Sequence, residues 1–202
     1  MIKIWKIILL SAAVLIGTNV SAQEEGWLVR TRLINAKPEV KSSLVDGVEV
    51  SSVTTAELDV SYYFNKNLVI EILACCFTRH DVSASGVDLG KAKLAPATVL
   101  GQYHFEVNEK FVPYVGVGLN YSVFFDVELN HPLLGPLNLD KTSTGLAFQA
   151  GFNVPVSKTS MVNFDVKKIK LGTKVTQAST GALVTDLDLD PLVIGVGYSW
   201  RF

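Results

Sequence analysis

Six charged residues fall into a pattern that could build an interior ion cluster. Arg30 and Arg32 are two apart, as are Glu57 and Asp59, and Glu71 and Arg201 sit in similarly alternating stretches. Residues two apart on a strand share a face. If these strands belong to one closed sheet, the six groups meet inside it, and burial demands that they pair. That chemistry is structural. The three histidines, His80, His104 and His131, lie far apart, and no nucleophile-elbow, zinc-protease or phosphate-loop motif accompanies them. No catalytic, cofactor-binding or metal site is therefore expected. Asp186, Asp188 and Asp190 alternate and could hold a cation weakly. No turn glycine or bidentate Glu completes a calcium loop, so solvated rim carboxylates are the plainer reading. Cys75 and Cys76 are neighbours, which on a strand point to opposite faces and do not easily bridge, so both read as small wall residues.

A second set is apolar. Leu73, Phe77, Leu100 and Phe124 stand on faces otherwise occupied by polar or small residues. They either fill a narrow interior or line a path for an apolar solute.

The elements that must position both sets are strands. Leu192 to Phe202 alternates strictly, with Leu192, Ile194, Val196, Tyr198, Trp200 and Phe202 on one face. Gly26–Lys37 places Trp27, Val29, Thr31 and Leu33 opposite Arg30 and Arg32. The same alternation runs through Thr54–Phe64, Leu68–Phe77, Lys93–Val107, Phe111–Phe125, Ser143–Val154 and Thr159–Leu171, with a bulge expected near Lys167 and Lys168. The connections alternate long and short; residues 38–53, 79–92, 126–142 and 172–186 read as the long loops. Eight such segments predict an all-β, eight-stranded antiparallel up-and-down transmembrane β-barrel with both termini periplasmic.

Hydrophobic residues make up 49% of the chain, yet after Ala22 no apolar run is long enough for a membrane helix. Lys3 and Lys6, the apolar run Ile7 to Ile16 and Val20-Ser21-Ala22 form a cleavable secretory signal over residues 1–22, leaving residues 23–202 as one barrel domain. Removing those two lysines from 18 Lys and Arg leaves 16 against 19 Asp and Glu, a net charge of −3 that offers no nucleic-acid footprint. A soluble lipocalin-like binder would put its apolar face inside and a densely charged face outside. Here Trp27, Tyr62, Phe64, Tyr103, Phe105, Phe111, Phe152, Tyr198, Trp200 and Phe202 all lie on apolar faces at the short-turn end, as an aromatic girdle in lipid requires.

The stretches GWLVRTRLINAKP, LAPATVLGQYHF (Leu94 to Phe105), FVPYVGVGLNYSVFFD and LDPLVIGVGYSWRF resemble the OmpW family of small outer-membrane barrels over essentially the whole mature chain. The resemblance implies outer-membrane lipid and small hydrophobic solutes as partners, with a narrow channel or a receptor as the function. The barrel-assembly machinery is expected to engage the C-terminal strand. A sealed structural or adhesive barrel is the alternative. Pro96 and Pro113 each remove a ladder donor, which suggests a sideways exit through the wall.

Overall fold

The computed structural model describes residues 25–74, 76–108 and 110–202. The signal segment and Cys75 lie outside them. In chain order the strands are β1 (Gly26–Lys37), β2 (Lys41–Ser42), β3 (Val48–Val50), β4 (Val53–Tyr63), β5 (Leu68–Leu73), β6 (Thr78–Ala84) and β7 (Val87–His104). They continue with β8 (Val112–His131), β9 (Gly135–Leu139), β10 (Thr142–Pro155), β11 (Ser160–Ile169), β12 (Gly172–Gln177), β13 (Leu183–Asp188) and β14 (Leu192–Arg201).

Eight of these, β1, β4, β5, β7, β8, β10, β11 and β14, form a closed antiparallel barrel. Each pairs with the next along the chain, and β14 returns to pair with β1 from Leu28↔Arg201 to Lys37↔Leu192. Closure leaves the barrel no free edge, which a wall in lipid cannot tolerate. The faces follow the alternation. Arg30, Arg32, Asp59, Glu71, Gln102, Asn120 and Asp165 are buried inside, while Leu33, Val117, Leu119 and Val196 are exposed outside. At the short-turn end the outward aromatics touch one another: Trp27 with Tyr62, Tyr62 with Phe64, Phe111 with Phe152, and Tyr198 with Trp200.

Four expectations need correction. The third barrel strand ends at Leu73, not Phe77. Cys76 takes φ 73°, which breaks the alternation, so Phe77 turns outward and is 63% exposed against the Phe125 ring. Cys76 is disulfide-bonded, not an unbridged wall residue, because it has left the extended backbone on which that reading rested. No bulge forms at Lys167 and Lys168; the β10–β11 register runs unbroken from Ala147↔Ile169 to Pro155↔Met161. The long connections are not open loops. They hold β2, β3, β6, β9, β12 and β13, and together with the ends of β7 and β8 they carry the wall beyond the barrel.

In that extension the polarity of the wall reverses. Val82, Leu89, Ala92, Leu129, Val175 and Leu187 are buried inside, and Arg79, Asp81, Glu128, Lys174, Asp186 and Asp188 are exposed outside. The reversal on β8 has a local cause. Asp126 has φ 46°, and the pairing jumps from Lys93↔Phe125 to Lys91↔Glu128, so β8 carries one extra residue. An extra residue swaps the faces of everything beyond it. Phe125 points out below the bulge, and Leu129 points in above it.

Candidate functional site: an apolar chamber on a charged plug

The middle of the lumen is filled by a network built on Arg32, which is 1% exposed. Its Nη1 donates to Glu57 Oε1 at 2.9 Å and Asp59 Oδ2 at 2.7 Å, its Nη2 to Glu71 Oε2 at 2.9 Å, and its Nε to Asn163 Oδ1 at 2.8 Å. Arg30 Nη1 reaches the same Glu71 oxygen at 2.9 Å. β4 pairs β1, and β5 pairs β4, so the carboxylates come from the two strands that follow the arginines around the ring. The expected cluster of Arg30, Arg32, Glu57, Asp59 and Glu71 is therefore assembled. Arg201 stands nearer the short-turn end, its guanidinium over the Tyr63 ring at 4.5 Å.

The sequence reading missed the far side of the plug. Lys167 Nζ donates to Glu57 Oε1 at 2.8 Å and faces Asp165 Oδ1 at 2.8 Å as a charge contact without hydrogen-bond geometry. Gln149 Nε2 bridges Glu71 Oε1 at 3.0 Å and Asp165 Oδ2 at 2.7 Å, and Gln102 Nε2 bridges Glu71 and Gln149. Tyr114 donates to Asp165 at 2.7 Å. Alternation already places Asp165, Lys167, Gln149 and Tyr114 on inward faces. What it lacks is reach across a lumen, because such partners are not neighbours in the sheet. Below the plug, the His104 ring stacks on Tyr114, and Leu28, Tyr63, Val69 and Met161 pack together. The axis is thus closed twice.

Above the plug the lining changes. A cavity of about 180 Å³ opens within the extended wall, lined by Leu73, Phe124, Leu129, Leu137, Val175 and Leu187 among other apolar side chains. Of the four apolar residues singled out in the sequence, Leu73 and Phe124 line it. Leu100 is fully buried in the same apolar cluster without lining the cavity, and Phe77 lies outside, as noted. Glu57 and Lys167 form part of the floor. Asp186 and Asp188 stand on the outer face of β13, and Asp190 pairs with Lys170 instead of with them.

One side of the chamber wall is unpaired. β4 meets β5 only from Asp59↔Leu73 to Tyr63↔Val69, so residues 53–58 have no strand partner on that side among the described residues. On the opposite bank, β7 pairs β5 up to Thr98 and β6 from Leu94 onward, leaving Ala95, Pro96 and Ala97 between them. Pro96 has no backbone N–H to leave unsatisfied there. The two prolines do not form one opening, however. Pro96 pairs with Ser122 across β8, whereas Pro113 pairs with Phe152 near the short-turn end.

Known proteins share this architecture. The uncharacterized outer-membrane protein y4mB of Sinorhizobium fredii is 37% identical over 192 residues, spanning 91% of this chain and 82% of its own. Outer membrane protein W of Vibrio cholerae is 33% identical over 207 residues, 94% of this chain and 95% of its own. The crystal structure of the outer membrane protein OprG from Pseudomonas aeruginosa superposes with a TM-score of 0.75 at 28% identity, covering 89% of this chain and 97% of that one. With a family match over residues 24–202, the chain belongs to the OmpW family of bacterial outer-membrane β-barrels.

Proposed function

We propose that this barrel takes a small apolar solute into the chamber from the cell exterior and releases it sideways into the membrane. In this reading the extended wall faces outward from the cell, and the short turns and both termini face the periplasm. One observation carries the proposal: an apolar cavity sits directly on a closed, charged plug. An apolar solute that entered could not continue along the axis without parting buried ion pairs, at a cost of about 3–5 kcal/mol for each one broken. Residues 53–58 of β4, which have no strand partner on that side among the described residues, offer the lower barrier, at the level of outward Leu33, whose strand neighbour is Ala56. In size, the cavity is comparable to an engineered apolar cavity of about 150 Å³ that stays dry and binds benzene.

Leu73 and Phe124 are the path residues in this reading, and Leu100 supports the wall beneath them. During insertion the barrel-assembly machinery would engage β14, the strand that closes the ring. A sealed structural barrel shares the plug but gives the chamber no use. The test is uptake of a small apolar solute by cells carrying Leu73→Asp with Phe124→Asp, with assembly verified by heat-dependent gel mobility. Uptake falling to that of cells lacking the protein is expected. Assembled double variants that take up solute like the parent would overturn the route.

A further inference from the structure

The chamber is apolar around its sides but not at its floor, and the floor has a sign. Polar groups lining the cavity are mostly used up. His80 donates from Nδ1 to the Ser51 carbonyl at 2.7 Å, leaving Nε2 to accept from Thr78 at 2.9 Å. Asn120 donates to Thr98 at 2.8 Å and accepts from Ser122 at 2.7 Å. Lys93 is drawn to Asp126 at 2.9 Å, and Lys167 is held between Glu57 and Asp165. Glu57 keeps an acceptor free. Oε1 takes the bonds from both Arg32 and Lys167, while Oε2 accepts none among the described residues. The residue is only 9% exposed, and its side chain, at 11%, is more open than the fully buried Asp59 and Glu71 carboxylates.

Two further facts point the same way. The plug holds four carboxylates, Glu57, Asp59, Glu71 and Asp165, against three bases, Arg30, Arg32 and Lys167, so its formal charge is negative. Glu57 also lines the chamber and lies within the stretch of β4 that has no partner on the β5 side among the described residues. A solute leaving sideways passes this oxygen.

We propose that Glu57 Oε2 makes the chamber selective for apolar molecules with a hydrogen-bond-donating head, a hydroxyl or an ammonium, and against carboxylates. This rests on the solute-binding reading above and adds the head-group chemistry. A donor head satisfies an acceptor that is otherwise left to water in an apolar surround. A carboxylate head brings like charge against it where the dielectric is low, which is repulsive and leaves both groups without a donor.

The experiment compares three six-carbon probes, hexan-1-ol, hexylammonium and hexanoate, binding to the full mature barrel in lipid nanodiscs. Binding is read from methyl NMR shifts of Ile34, Leu137 and Leu187, which line the chamber. Each probe's affinity is compared between the parent and Glu57→Gln. The glutamine keeps an oxygen for Arg32 and Lys167 and replaces the free oxygen by an N–H donor. Taking the ratio within each probe cancels its partitioning into lipid. Hexylammonium is expected to lose about tenfold, the size of one hydrogen bond to a charged group; hexanol is expected to lose less, and hexanoate to gain. In the parent alone, hexanoate should shift the chamber methyls least at equal free concentration, a measurement that stands even if the variant folds poorly. Equal factors for all three probes would overturn the selectivity while leaving solute binding intact. No methyl shifts from any probe would overturn both.

Discussion

Arg32 is the residue whose removal should cost the barrel most, and the way the loss can be recovered is specific. Replacing it by Met keeps the length of the side chain and removes the charge. Glu57 retains Lys167, and Glu71 retains Arg30, but Asp59 has no other ion pair within 4 Å among the described residues, and its remaining hydrogen bond is from the Ser61 hydroxyl at 3.4 Å. Arg32→Met therefore leaves one buried carboxylate without a hydrogen-bonded cation, with only the more distant Arg30 and Lys167 charges to offset it, a loss of up to about 3–5 kcal/mol. With a guanidinium m-value of about 4 kcal/mol/M for a chain of this size, the unfolding midpoint should drop by up to about 1 M. Adding Asp59→Asn neutralises the stranded group and should restore about 1–3 kcal/mol. Asp59→Asn alone leaves Arg32 with Glu57 and Glu71 and should be the mildest of the three. Guanidinium titration of barrels folded in lipid vesicles, followed by tryptophan fluorescence, gives the order. A double variant no more stable than Arg32→Met would refute the assignment of Asp59 as the group that Arg32 serves.

Other expected outcomes are simpler to state. Val117→Arg puts a charge on an outward face that is 54% exposed, and it should cost about 2–4 kcal/mol and lower the folded band on a heat-shift gel. Gly118→Ser, on the inward side of the same strand, should be no milder, because a Cβ there would lie 1.8 Å from the Val99 carbonyl oxygen; a normal yield of folded Gly118→Ser would contradict the close approach of β7 and β8. The mature chain should be monodisperse only with detergent or lipid, since Leu33, Leu119 and Val196 are each more than half exposed; sedimentation without either should show aggregation. Partial burial pushes the Asp190 carboxyl up, but the Lys170 ammonium and the Leu171 N–H hold it below its ordinary range. A depressed carboxyl stabilises above its unfolded pKa, and the benefit is lost as pH falls through its folded one. The Leu171 amide should thus lose exchange protection in acid, and Asp190→Asn should remove that dependence.

Alternation exposed the eight barrel strands and their faces because lipid outside and ions inside impose a two-residue period on every wall segment. It failed where the physical environment changes along one strand. Residues 126–142 read as loop from Pro132, Gly135 and Pro136, although Val127 and Leu129 prolong the Tyr121–Val123–Phe125 alternation. Alternation alone would carry Leu129 outward and Glu128 inward, the reverse of what the structure shows. The reversal comes from the extra residue at Asp126, whose φ of 46° no composition signal announced. Phe77 departs from its expected inward face for a related reason: the strand ends at Leu73, and Cys76, at φ 73°, leaves the extended region.

The same reversal explains why a chamber can exist on top of a plug within one continuous sheet. Within lipid, the inward face must be the polar one, and in a barrel this narrow the polar side chains meet and close. Beyond lipid, water takes the outer face, so the inner face is free to be apolar. A sheet that simply continued its register would instead send Leu129 into water and Glu128 into the lumen. One inserted residue on β8 exchanges those two positions at the boundary between the environments. The apolar cavity is thus a consequence of where the bulge falls: Val127 already packs against the inner apolar cluster, and Leu129, 5% exposed, lines the cavity itself.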